Sequence, residues 1–228
     1  MSYTDFYFFN KNKEVIKRGK IKNAHRGARM IWEQLITLYL DNTSFRKLVE
    51  EDKMDKLWDL VNDERLTKYE RICLLYTFDY ALIDRKNIEE LLEALKSMHL
   101  SEEYDSLLEH FILIGSEFKQ NQEIEYLGIN HNSISTDFWE DKKDLNKSWL
   151  IFKEDCLNIK IDDSKRKIID KHNKAIIKLF KIKKDLIVAN YEIDIKPIDF
   201  EYLIDKISIE IEAIKLRRDF LIKPKEDK

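Results

Sequence analysis

Lys167, Lys171, Lys174, Lys178 and Lys181 follow one another at spacings of four, three, four and three residues. On a helix that rhythm lines five ammonium groups along one face. Such a column breaks no bond; its chemistry is the capture of anions, because like charges at this spacing repel one another unless a counter-charge meets them. Residues 164–184 hold nine basic side chains against the single acid Asp170. Three acceptors fit: a phosphate backbone, an acidic protein surface, or the chain's own Glu201, Asp205, Glu212 and Asp219 on the segment that follows.

A second basic cluster lies near the start, where Lys11, Lys13, Lys17, Arg18, Lys20, Lys22, Arg26 and Arg29 are opposed locally by Glu14. It adjoins Tyr3, Phe6, Tyr7, Phe8 and Phe9. Aromatic side chains on a sheet beside basic residues can stack unpaired bases and hold phosphates. The same rings also serve as the buried face of a sheet packed on a helix. If Phe6 and Phe8 point inward, alternation leaves Tyr7 and Phe9 for a ligand.

Catalytic patterns are sparse. The four glycines, Gly19, Gly27, Gly115 and Gly128, stand alone, so neither a P-loop nor a dinucleotide fingerprint can be written. His25, His99, His110, His131 and His172 are scattered without HExxH or close Cys/His spacing, and no metal or cofactor is expected. Ser133 and Ser135 lie near His131 without a nucleophile elbow around them, and Trp139 and Trp149 read as anchors for their segment. Cys73 and Cys156, far apart, suit free thiols in a reducing compartment.

Arg166 and His172, separated by five residues in a charged helical segment, resemble the Arg-x(4 to 6)-His motif of HEPN-type ribonucleases. The resemblance covers those few residues, and Lys167 stands where the family often carries a small polar residue. It implies that the arginine and histidine act together on an RNA 2′-hydroxyl and scissile phosphate, across a dimer of all-helical domains.

The elements that would position these residues follow from periodicity. Residues 3–9 and 14–22 read as a hairpin with a four-residue loop, Gly19 marking a bulge or bend. Asn23 caps a helix bearing Ala28, Ile31, Leu35 and Leu38, which is expected to pack on one hairpin face. Short helices follow around Leu48 and around Leu57. Thr67 with Glu70, and Asn87 with Glu90, form capping boxes for helices carrying Ile72 to Leu82 and Ile88 to Met98, and Ser101 starts the next helix. From Glu123 to Asp144 the helical period is lost, which predicts the longest irregular stretch. Alternation predicts short strands at 157–161 and 191–195. Two long helices at 164–190 and 199–222 complete an antiparallel helical hairpin.

The expected fold is mainly α within the α+β class: an N-terminal β-hairpin packed on a helix, a short-helix bundle, and a long C-terminal helical hairpin, divided as residues 1–155 and 156–228. Residues 161–228 carry 17 basic and 14 acidic side chains, against 24 and 30 in the rest, although the whole chain has a net charge of −3. No run of about 18 apolar residues exists and the start lacks the order of an export signal, so a cytoplasmic protein without a membrane span is expected. The expected function is a non-enzymatic binding protein with a protein or ribonucleoprotein partner. Small size, absence of catalytic signature and an Ile-, Lys- and Asn-rich composition point to a phage or mobile-element inhibitor of a host nucleic-acid-handling system. Direct nucleic-acid binding is the alternative, and HEPN-like RNA cleavage the second.

Overall fold

The computed structural model describes residues 3–22, 27–40, 43–78, 81–98, 106–131, 149–150, 163–192 and 200–222. The chain divides into two compact units, one formed by residues 1–33 and 49–159 and the other by residues 34–48 and 160–228.

In the first unit, strands β1 (Tyr3–Phe9) and β2 (Val15–Lys22) form the expected hairpin. The connection is longer than predicted by one residue. Asn10 Oδ1 accepts from the backbone N–H of Asn12 and Glu14, and Lys13 takes a left-handed φ of 60°, which closes a turn between Asn10 and Glu14. The register shift falls between Phe8 and Phe9, not at Gly19. Gly19 instead lies under Leu113, whose Cδ2 would stand 2.9 Å from any Cβ placed there.

Six helices and one strand follow the hairpin along the chain. After helix α1 (Gly27–Tyr39) come α2 (Phe45–Glu50), α3 (Asp55–Asp59), α4 (Lys68–Tyr76), strand β3 (Ala81–Asp84), α5 (Ile88–Ser97) and α6 (Ser106–Gln120), with α1 and α2 crossing from one unit to the other. Strands β4 (Tyr126–Asn130) and β5 (Trp149–Leu150) complete a five-stranded sheet in the order β2-β1-β4-β3-β5, antiparallel except for the β3–β5 pair. Helix α6 closes on the hairpin. Phe6 meets His110 edge-on at 5.1 Å, Phe8 meets Phe118 at 6.0 Å, and Lys17 reaches Glu117 at 2.7 Å.

Three sequence expectations are corrected here. Leu82 belongs to β3 and not to the preceding helix, because the short apolar run Ala81, Leu82 and Ile83 is buried by pairing with β4. The stretch predicted irregular from Glu123 begins with β4, which pairs with both β1 and β3 in the middle of the sheet. Asn87 makes no side-chain cap, since a 3₁₀ turn over Arg85–Asn87 feeds directly into α5. The Thr67–Glu70 capping box is present as predicted. Asn23, residues 132–148 and the strand predicted at 157–161 lie outside the described residues.

In the second unit, α7 (Asp163–Glu192) and α8 (Phe200–Ile222) form the antiparallel hairpin. Tyr191 and Glu192 continue α7 and do not start a strand; 193–195 fall outside the described residues. The polar lock of this unit is the fully buried Arg218. Its Nη1 donates to Asn173 Oδ1 at 2.7 Å, its Nε donates to Asp219 Oδ1 at 2.8 Å, and its guanidinium lies over the Tyr39 ring at 4.9 Å. Asn173 Nδ2 in turn donates to Tyr39 Oη at 2.7 Å. Ile169, Ile176 and Ile211 are buried beside this polar chain in sequence.

One arginine in the first unit carries a sharp stability consequence. Arg85 donates to the carbonyls of Phe118, Asn121 and Ile124 and to Gln122 Oε1, satisfying acceptors left open where α6 ends. Arg85→Ala strands those carbonyls in a partly buried site and lowers unfolding free energy by about 2–3 kcal/mol. Arg85→Lys restores only a part, because one ammonium cannot reproduce a fork of donors. Urea denaturation of both variants checks the order.

Candidate anionic-partner interface

The lysine column survives as geometry. Lys167, Lys171, Lys174, Lys178 and Lys181 all lie in α7 and all are exposed. At about 100° per residue they occupy an arc of about 80°, opposite the side that carries Ile169, Asn173 and Ile176. The first to the last spans about 21 Å at 1.5 Å per residue. Among the described residues, none of the five has an ion-pair partner. Asp170 borders the column and Asp185 follows it, both exposed and neither in an ion pair among those residues.

Two of the four internal acids considered as counter-charges are committed elsewhere. Glu212 holds Lys215 at 3.1 Å, Asp219 holds Arg218, and Asp205 is exposed. The side chain of Glu201 lies outside the described residues. The hairpin therefore neutralises its two buried cations, Lys215 and Arg218, and leaves the outward column bare.

The N-terminal cluster behaves differently. Lys17 pairs with Glu117, Lys20 approaches Asp5 at 3.4 Å and covers the Tyr3 ring at 4.3 Å, and Arg18 covers the Tyr7 ring at 5.2 Å. Arg29 pairs with Glu33 at 2.7 Å; Lys11 and Lys22 are exposed, and Arg26 lies outside the described residues. Phe6 and Phe8 face α6, while Tyr7 and Phe9 are also buried, at 2 % each, in a second apolar cluster with Leu82, Val15 and Tyr126. Both faces of β1 are thus covered, and none of those four rings can stack a base.

Arg166 and His172 share α7, but six residues put their side chains about 120° apart around it. Arg166 is exposed, whereas His172 is half-buried and its Nδ1 lies 2.7 Å from the Ile168 carbonyl, the acceptor one turn back. The carbonyl fixes the proton on Nδ1 and leaves Nε2 as the acceptor. A single chain does not bring the two groups onto one phosphate.

The remaining titratable cluster is a core, not a cleft. His110 is fully buried on α6, with Nδ1 2.9 Å from Tyr76 Oη, and its Nε2 has no hydrogen-bond partner among the described residues. His131 Nε2 donates to the Tyr76 carbonyl at 2.9 Å, so its Nδ1 is the acceptor facing Thr4 Oγ1 at 3.5 Å. The two imidazoles stack at 6.2 Å. Burial, with the neighbouring His131 adding to it, lowers the His110 pKa from 6.5 to about 3. Cys73 is buried and pushed well up, first by burial and then by the Glu70 charge, which keeps it a neutral thiol and no nucleophile. Among the described residues no group of three His, Cys, Asp or Glu could hold a metal. Ser133, Ser135, Trp139, Cys156, His25 and His99 fall outside them, while Trp149 sits in β5 opposite Ala81.

Two outcomes separate core from surface. Since the unfolded chain binds a proton at His110 below pH 6.5 and the folded chain binds it only near pH 3, stability is full above 6.5 and falls as pH drops through that window. The contribution is about 1.4 kcal/mol per pH unit, and His110→Gln, which keeps a partner for Tyr76 Oη, flattens the slope of unfolding free energy against pH by close to one proton. At the column, Lys174→Glu sets a carboxylate three residues from Lys171 and four from Lys178. It leaves urea stability unchanged or raises it by about 0.5 kcal/mol, each new pair contributing about 0.2–0.5 kcal/mol, while weakening capture of any anionic partner. A loss above about 1 kcal/mol would give Lys174 an internal role instead. No family model, curated protein or solved structure matches the chain.

Proposed function

We propose that this chain is a non-enzymatic binding protein that lays the lysine face of α7 against an anionic macromolecule. The observation that carries the reading is the set of five exposed ammonium groups in register on one helix, without an ion-pair partner among the described residues. Mutual repulsion inside a Debye length of about 8 Å makes such a column unfavourable in isolation. A docked polyanion removes that repulsion. The burial of Cys73 and His110 supports the non-enzymatic part, because a thiol and an imidazole sealed in the core cannot meet a substrate. The narrower form of the proposal is an inhibitor that occupies the surface of a nucleic-acid-handling complex in the cytoplasm, with composition and the lysine face as its support. No described helix is long and apolar enough to cross a membrane.

Heparin-column chromatography at pH 7 tests the reading, since a chain of net charge −3 has no reason to be held by a polyanion unless its positive charge is local. The protein is retained, and combined Lys171→Glu, Lys174→Glu and Lys178→Glu abolishes retention with the circular dichroism spectrum preserved. Reversal of the exposed Lys56, Lys96 and Lys119 keeps most of it. Flow-through of the unaltered protein, or equal loss in both triple variants, would overturn the proposal.

A further inference from the structure

We infer that the polyanion for which the α7 column is built is the phosphate backbone of double-stranded nucleic acid, bound without regard to sequence. The inference rests on the lysine-face reading above and names its ligand. Three features of the face select that ligand.

The first is linear charge density. The column presents one ammonium about every 5 Å along about 21 Å of a rigid rod. Duplex DNA carries one charge per about 1.7 Å of axis, about three for every lysine of the column, so a duplex supplies more than enough counter-charge over the column's length. The second is the absence, among the described residues, of a stacking platform beside the column. Single strands are held chiefly by rings on which bases stack. Of the exposed rings described in this unit, Phe180 projects about 140° away from the column around α7, and Tyr202 sits on α8 with Lys206 over its face at 5.3 Å. The third is the donor type. Base edges are read by forked or bidentate groups such as Arg, Asn and Gln. Lysine is a flexible point charge. Asn173, the described amide on α7 nearest the middle of the column in sequence, is turned inward onto Arg218 and Tyr39. Backbone contacts set position and carry no sequence information.

Counterion release gives the inference a number. With three to five phosphates neutralised, the logarithm of the association constant falls against the logarithm of salt concentration with a slope between about −2.7 and −4.5. At the upper value, affinity drops about 500-fold between 50 and 200 mM salt.

The experiment is fluorescence anisotropy with four probes: two 24-base-pair DNA duplexes of unrelated sequence, one of their single strands, and polyglutamate. The expected result is binding of both duplexes within about threefold of each other, weaker binding of the single strand, and a salt slope in the stated range. Lys174→Gln and Lys178→Gln each make that slope shallower by about 0.9, while Lys96→Gln, at an exposed lysine outside both basic clusters, leaves it unchanged. Preference for the single strand, a sequence preference above about tenfold, or a slope indifferent to the column lysines would overturn the inference. Column-dependent binding of polyglutamate alone would overturn it too, yet leave the lysine-face reading standing. Binding of none of the four overturns both.

Discussion

The C-terminal unit depends on a guanidinium that has been taken out of water. A buried arginine is tolerable only with its charge countered and its donors used, and Arg218 achieves this with Asp219 on its own helix, Asn173 on α7 and the Tyr39 ring at the end of α1. Of these, Asn173, which also donates to Tyr39 Oη, fixes the rotation of α7 about its axis. Once Asn173 must face Arg218, the residues half a turn away have no choice but to face outward. The lysine column is therefore placed by the lock behind it, and the exposure of five lysines follows from the burial of one arginine.

Electrostatic pairing in the molecule is selective. Where basic side chains sit on β2, acids and rings of the same unit meet them, as with Lys17 and Glu117 or Arg18 and Tyr7. That arrangement suits an edge strand, where lysines also discourage further strand addition. On α8 the acids Glu212 and Asp219 answer the two buried cations of the same helix. Among the described residues nothing comparable is supplied to the lysine column of α7. An unbalanced face of one sign costs stability, and a chain with more acids than bases had ample material to balance it. On the function proposed above, the imbalance is the trace of a partner.

Much of this was legible from local spacing. The column at 167–181 and the capping box at Thr67 depend on offsets of three and four residues, which a helix converts directly into contacts or shared faces. The hairpin was equally local. What escaped was pairing between distant segments. Tyr126–Asn130 is only five residues long and lies beside a polar tract, yet two partner strands make it the centre of a sheet. Ala81 to Ile83 looked like more of a helix because a short apolar run has no period of its own. Asn87 had the right spacing for a cap, but a 3₁₀ turn used its backbone first. The Tyr39, Asn173 and Arg218 chain joins residues 134 and 45 positions apart, and no periodicity announces it.

The same comparison shows why titratable residues mislead. His110, His131, Tyr76 and Cys73 together would suggest proton transfer in any list of side chains, and the structure puts them in one place. Burial that converges them also removes their function as acids and bases, because His110 cannot charge near neutrality and Cys73 stays a thiol. Desolvation raises the cost of every charged form equally, without regard to its possible usefulness. A group that acts on a macromolecule must instead stay hydrated until the partner arrives, and then exchange water and counterions for contact. Among the described residues the lysines of α7 meet that condition as a set, which is why the chemistry of this chain is sought on its most ordinary side chains rather than on its rarest.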